Sequence, residues 1–347
     1  MAVGEIKRFK CTVSYIGRTY SGWQSQKRGD SVQEALEAAV SSVTGTYTKI
    51  TGSGRTDAGV SARGQVFHFD TDKDLTAARW YGALNSHLPD DIRIMETEEV
   101  DDLFHARYNV RKKQYDYRIH TGQYDVFSRE YAYQCPYALD IEKMKEASRY
   151  LIGTHDFTSF NSNPLSEMPD QVRTVSGIVF HEEENGILRI SFTGKGFLRY
   201  MVRMMCGSLL EAGRGRIEPL RVKEILEMRS KDISTRNAPA CGLTLTWVDY
   251  YDVAAKDSLF IIREFLEADE IPEGHELKDL EEGVKERKDG RIYAVWDRQD
   301  HSVKGFCSLS QGGVSVHSYD DALYEQIRSL ADDIREPLHN DIFTGKR

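Results

Sequence analysis

Arg55 and Asp57 lie two residues apart in Gly52-Ser53-Gly54-Arg55-Thr56-Asp57-Ala58-Gly59-Val60, a stretch that carries no other charge. Its three glycines open positive-φ conformations and close backbone approach, so the stretch reads as a loop that presents a carboxylate beside a guanidinium. A Gly-rich turn with two solvated charges has the same composition. The flanks favour a site: Lys49-Ile50-Thr51 and Gln65-Val66-Phe67-His68-Phe69-Asp70 both have strand character, and reactive groups are commonly placed on loops held between rigid elements. One such carboxylate suits nucleophilic attack or proton transfer, whereas a glycosidase normally needs two in one cleft. Further along, Arg199 and Arg203 are one helical turn apart in Lys195–Leu210, and the spacing predicts a helix carrying both. A solvated helix face is the ordinary reading. The neighbours of Arg203 are Leu, Met, Val and Cys, so it would be partly buried and in need of a carboxylate.

The elements that must hold these groups follow from periodicity. Phe9, Cys11, Val13 and Tyr15 alternate with polar residues as a half-buried strand does, then run into a turn-rich segment ending in Gly22-Trp23-Gln24. Trp23 suits a nucleic-acid surface and simple packing equally well. Ser31-Val32-Gln33-Glu34 is a capping box that opens a helix with Val32, Leu36, Ala39, Val40 and Val43 on one face, closed near Gly45. A second helix is expected over Ala77–His87 and a strand over Ile92–Glu96. In Arg111–Ile119, Tyr115, Tyr117 and Ile119 share one strand face behind a basic run, and Tyr117 fits cross-strand packing best. A helix is expected at Ile141–Leu151, and Val175–His181 with Ile187–Phe192 form a hairpin through Asn185-Gly186.

Gly54-Arg55-Thr56-Asp57-Ala58-Gly59-Val60 followed by Gly64-Gln65-Val66-Phe67-His68-Phe69 closely resembles the signature of the tRNA pseudouridine synthase A (TruA) family. Lys113-Gln114-Tyr115-Asp116-Tyr117 resembles its second motif, Phe197-Leu198 with Met201-Val202-Arg203 its third, and Ala238–Val248 its closing strand, so the resemblance runs from about Lys7 to Tyr250. It implies an α+β pseudouridine synthase fold: two similar α+β halves, a shared central antiparallel sheet and a basic cleft. It also implies catalysis by Asp57, with Arg203 paired to it and Tyr115 stacked on the target base, and RNA contacts from Arg55, Arg107, Lys113 and Arg199. The expected activity is isomerisation of uridine in the anticodon stem-loop of tRNA, by a homodimer, with no cofactor and no metal. Many members carry a His and a Gly where this chain has Ser61-Ala62-Arg63, a variation that touches RNA contacts rather than chemistry. Other target uridines or RNAs, or a non-catalytic RNA-binding relative, are the alternatives; the joint presence of Asp57, Tyr115 and Arg203 argues against the last.

Over 347 residues and 40% hydrophobic composition the chain suits about two globular domains. The resemblance divides them as 1–110 and 111–252, the two halves of the catalytic domain, and 253–347, a small acidic α+β appendage. No apolar run approaches a bilayer span, the N-terminus lacks an apolar signal region, and five scattered cysteines form no CxxC pair, so a cytoplasmic protein with reduced thiols and no membrane partner is expected. Residues 251–347 hold 13 Lys and Arg against 22 Asp and Glu, which accounts for the whole net charge of −9 and leaves residues 1–250 balanced. The tail is therefore a poor candidate for binding a polyanion, and the body is not. In the tail an acidic helix-like start is expected at Leu259–Leu266, strands at Arg291–Trp296, Val303–Leu309 and Gly313–His317, and a helix at Tyr319–Ile334.

Overall fold

The computed structural model describes residues 6–26, 30–102, 104–183, 186–233 and 236–250, and the backbone of four strands within 260–318. The chain forms two compact units, Met1–Tyr251 and Asp252–Arg347.

Strand alternation in the first segment is realised as β1 (Lys7–Tyr15), with Phe9, Cys11 and Val13 wholly buried and Tyr15 nearly so. It pairs antiparallel with β3 (Ser61–Thr71) on one side and β4 (Ile92–Val100) on the other. The capping box starts α1 (Val32–Thr44): the Glu34 N–H donates to Ser31 Oγ at 3.2 Å and the Ser31 N–H to Glu34 Oε2 at 3.0 Å, worth about 1 kcal/mol. Gly45, at φ 82°, ends it. α2 (Ala77–His87) packs against β4 and buries Trp80 and Leu84.

The second half repeats the plan. β5 (Val110–His120), β8 (Val172–Glu183) and β9 (Ile187–Gly194) are antiparallel neighbours, covered by α3 (Ile141–Arg149), α4 (Met201–Gly213) and α5 (Pro219–Met228). The expected hairpin is β8–β9. Phe157 and Phe160 are fully buried, so the polar-looking segment around them is a packing element. With the short β2 (Thr51–Gly52), β6 (Tyr133–Gln134) and β7 (Gly153–Asp156), the unit has one ten-stranded sheet in the order β4-β1-β3-β10-β5-β9-β8-β7, β2 joining β3 and β6 joining β5. β10 (Leu243–Tyr250) is the seam: it runs antiparallel to β5 and parallel to β3. The sheet is otherwise antiparallel apart from β5–β6.

In the second unit, β11 (Phe260–Glu264), β12 (Arg291–Asp297), β13 (Val303–Ser310) and β14 (Gly313–Ser318) form an antiparallel meander. Within the helical start expected at Leu259–Leu266, the described residues Phe260–Glu264 are thus a strand. Phe260-Ile261-Ile262 joins an aromatic to two β-branched residues, a preference that outweighs the helical look of the acidic residues behind it. The helix expected at Tyr319–Ile334 lies outside the described residues.

Candidate active site

The loop between β2 and β3 is fixed from below. The Ser53 N–H donates to the Val66 carbonyl at 2.7 Å, Ser53 Oγ donates to Gln65 Oε1 at 2.5 Å, and Gln65 Nε2 donates to the Gly54 carbonyl at 3.0 Å, with Gln65 wholly buried. One residue before Asp57, Thr56 shares a 2.8 Å hydrogen bond with the buried Tyr15 hydroxyl, and its carbonyl accepts the Trp23 N–H at 3.1 Å. Trp23 is 3% exposed, so its place is packing under the loop and not an open surface. None of these supports was read as such in the sequence, although Tyr15 stands at an inward position of an alternating strand.

With its base held, the loop leaves Asp57 half-buried and Arg55 exposed. Arg203 Nη1 lies 3.7 Å from Asp57 Oδ2. The pairing is not bidentate: Arg203 Nε instead donates to the Ala238 carbonyl at 2.8 Å, so a single arm of the guanidinium faces the carboxylate. Burial raises the Asp57 pKa above the ordinary carboxylate value, and the charges of Arg203 and Arg199 oppose that rise.

Arg199 and Arg203 do not share a helix. α4 begins only at Met201, and Tyr200 ahead of it is left-handed at φ 63°, a conformation costing a non-glycine residue on the order of 1 kcal/mol. That reversal puts Arg199 outside the helix, and both guanidiniums lie over the Tyr200 ring, at 5.1 and 5.2 Å from its centroid. Arg55, Arg107 and Arg199 are all exposed, and the last two both bear on the first: burial, then the charges of Arg107 and Arg199, lower the Arg55 pKa. Three cations so placed favour a polyanion over any neutral ligand. Arg107 is delivered by a turn whose Ala106 N–H donates to Nδ1 of the buried His68 at 3.1 Å and whose Ala106 carbonyl accepts the Tyr250 hydroxyl at 2.8 Å. Burial, with Arg8, lowers the His68 pKa to about 4, so its ring is neutral and free to accept there.

From β5, Tyr115 and Lys113 face the loop. Tyr115 is 9% exposed and meets Phe197 edge-on at 5.4 Å. Burial, then Tyr15 and Asp57, push its phenol well above the ordinary range, so it is a neutral ring with a proton to donate. Tyr117, two residues on, is fully buried and donates to the Pro239 carbonyl at 2.9 Å. Lys113, expected among the RNA contacts, is 8% exposed and donates from Nζ to the Ser53 carbonyl at 2.6 Å. Among the described residues no group of three or more His, Cys, Asp or Glu is placed to hold a metal ion. No helix among them is long and apolar enough to cross a membrane.

A half-buried carboxylate faced by one arginine arm, a buried phenol that feels its charge and three outward cations can bind a nucleic-acid backbone and act on one nucleotide drawn into the site. Comparison with known proteins agrees. The family model described as tRNA pseudouridine synthase matches residues 12–109 and 147–251. The chain is 46% identical over 248 residues to tRNA pseudouridine synthase A of Bacillus subtilis (strain 168), and 44% over 248 residues to that of Bacillus licheniformis; each match spans 71% of this chain and 99% of the relative. That of Anoxybacillus flavithermus is 45% identical over 247 residues, again 71% and 99%. A chain of the solved "Crystal Structure of a Cbf5-Nop10-Gar1 Complex" overlaps 58% of this one and 45% of its own length at 12% identity and a TM-score of 0.28, too slight a likeness to carry weight. The family match takes in Arg55, Asp57, Arg107, Arg199 and Arg203, and the chain belongs to the tRNA pseudouridine synthase A family.

Proposed function

We propose that this protein isomerises uridine to pseudouridine in the anticodon stem-loop of tRNA, with Asp57 as the catalytic carboxylate. It is an isomerase of the pseudouridine synthase class. The observation that carries the assignment of Asp57 is its position 3.7 Å from Arg203, on a loop fixed from below and flanked by Tyr115 and three exposed arginines.

The reaction breaks the C1′–N1 glycosidic bond, turns the uracil and forms a C1′–C5 bond; the C5 proton leaves and N1 gains one, so the sum is an isomerisation that consumes nothing. The target nucleotide must leave the base stack, which requires a pocket, a ring to lie against and cations for the displaced backbone. Tyr115 supplies the ring and a proton-bearing hydroxyl. Arg55, Arg107 and Arg199 supply the cations, and Arg203 keeps Asp57 charged while the base closes the site to water. Residues 1–110 and 111–252 contribute jointly, the first bringing Asp57, Arg55 and Arg107 and the second Tyr115, Arg199 and Arg203. Residues 253–347 bring none of these groups. We further propose that two copies act together on one tRNA and that they work in the cytoplasm.

The test is a map of pseudouridine in tRNA from cells with the protein, without it, and with Asp57→Asn in its place. Loss of the modification in the second and third cases supports the assignment. A site elsewhere on tRNA would move the target, and an unchanged map would remove the activity.

A further inference from the structure

Lys113 is buried, yet no carboxylate lies within ion-pair distance of it among the described residues, and the charge that bears on it most is another cation, Arg107. An ammonium placed so is costly unless its donors meet specific acceptors. Nζ has one: the Ser53 carbonyl at 2.6 Å, sixty residues away in sequence. It also occupies the space beside Gly54, where a Cβ would come within 2.8 Å of Nζ and of no other atom within 4 Å. In sheet order β5, which carries Lys113, is separated from β3 by β10, so this one bond ties the second half of the unit to the base of the loop that bears Arg55 and Asp57.

We propose that Lys113 is a positioning residue that holds the Ser53–Asp57 loop in its working geometry, and not an RNA contact. The inference rests on the reading of Asp57 as the catalytic group. The Ser53 N–H is held by Val66, its hydroxyl by Gln65, and the next carbonyl by Gln65; Lys113 holds the carbonyl between. Without it that carbonyl is left buried and unpaired, and the peptide plane preceding Gly54 is free to turn. A displacement of about 1 Å at a catalytic group lowers turnover by roughly 10²-fold.

Lys113→Met keeps the unbranched apolar stem as far as the ε carbon and removes the donor. Turnover on tRNA should fall roughly 10- to 100-fold, with tRNA affinity and the slope of its logarithm against log salt unchanged, and amide hydrogen exchange at Ser53 and Val60 should speed up. Gly54→Ala, which crowds Nζ, should reduce turnover in the native chain and add nothing in the Lys113→Met background. Weaker binding with the salt slope reduced by about one and turnover retained would make Lys113 a phosphate ligand and overturn the proposal. Unchanged turnover and exchange would overturn it as well. If Lys113→Met fails to fold, Gly54→Ala decides alone: turnover lost at constant affinity supports the anchor, and unchanged turnover refutes it. Hydrogen exchange needs no substrate, so a native protein that forms no pseudouridine would sink the proposed function while leaving the anchor measurable.

Discussion

In the proposed reaction Asp57 acts as a charged carboxylate where burial disfavours charge, and Arg203 and Arg199 offset part of that penalty. Because burial raises its pKa, the folded protein holds the proton more tightly than an unfolded chain does. Ionisation therefore costs stability above the folded-state pKa, and the cost fades as the pH falls through it. Asp57→Asn keeps the shape without the charge: turnover should drop roughly 10³-fold or more while tRNA binding holds. At neutral pH its melting temperature should equal or exceed that of the native protein, the gap closing in acid. A melting temperature several degrees lower would mean that Asp57 is a structural ion-pair partner. Arg203→Met removes the opposing charge, so turnover should fall roughly 10²-fold and the acid limb of the pH–rate profile should move to higher pH. A limb that stays put would free Asp57 from Arg203. Such residue-scale expectations were accessible to sequence reasoning only in part. Arg55 and Asp57 announce themselves because their loop is local, whereas the Ser53 carbonyl that meets Lys113 and the Ala238 carbonyl that meets Arg203 are backbone atoms of distant segments, which no pattern of side chains displays.

Among the elements, α4 depends on a segment that forms neither helix nor strand along most of its length. A Cβ on Gly207 would lie 1.8 Å from the Arg236 carbonyl oxygen, so residues 236–238 run directly along the helix, where the Ala238 N–H donates to the Arg203 carbonyl at 3.0 Å and the Ala238 carbonyl accepts from Arg203 Nε. Gly207→Ala must push this segment away, at a cost of about 1–3 kcal/mol or more, and with it the acceptor that aims Arg203. Stability and turnover should fall together, and the acid limb should shift as in Arg203→Met. Normal activity in a stable Gly207→Ala protein would separate the segment from the site. The legible elements were those with a strong local signal: α1 has its capping box and glycine stop, and α2 spans Ala77–His87 as its pattern predicts. The start of α4 was misread because periodicity continues through Arg199 and Tyr200; the left-handed Tyr200 that breaks it reflects what surrounds the residue and not its intrinsic preference.

At the scale of the whole molecule, the curated relatives match over 99% of their lengths and 71% of this chain, and the family match stops at the head of residues 251–347. These residues carry the entire net charge of −9. A chain ending at Asp252 should modify tRNA at the native rate and bind non-specific RNA somewhat more tightly at low salt, a difference that fades as salt rises. Loss of tRNA affinity at both low and high salt by a folded, shortened protein would assign the tail to the RNA site. The position of β10 gives the tail a consequence in time. This strand is the last of its unit to be translated, yet it lies between β3 and β5, which each keep an open edge until residues 243–250 have left the ribosome. Open edges of apolar strands recruit one another. With the tail present, the seam can close while the nascent chain is still tethered and isolated from its copies; in the shortened chain it closes only after release. The shortened protein should thus show native activity per folded molecule and a poorer soluble yield from synthesis, recovered when the same chain is refolded at high dilution.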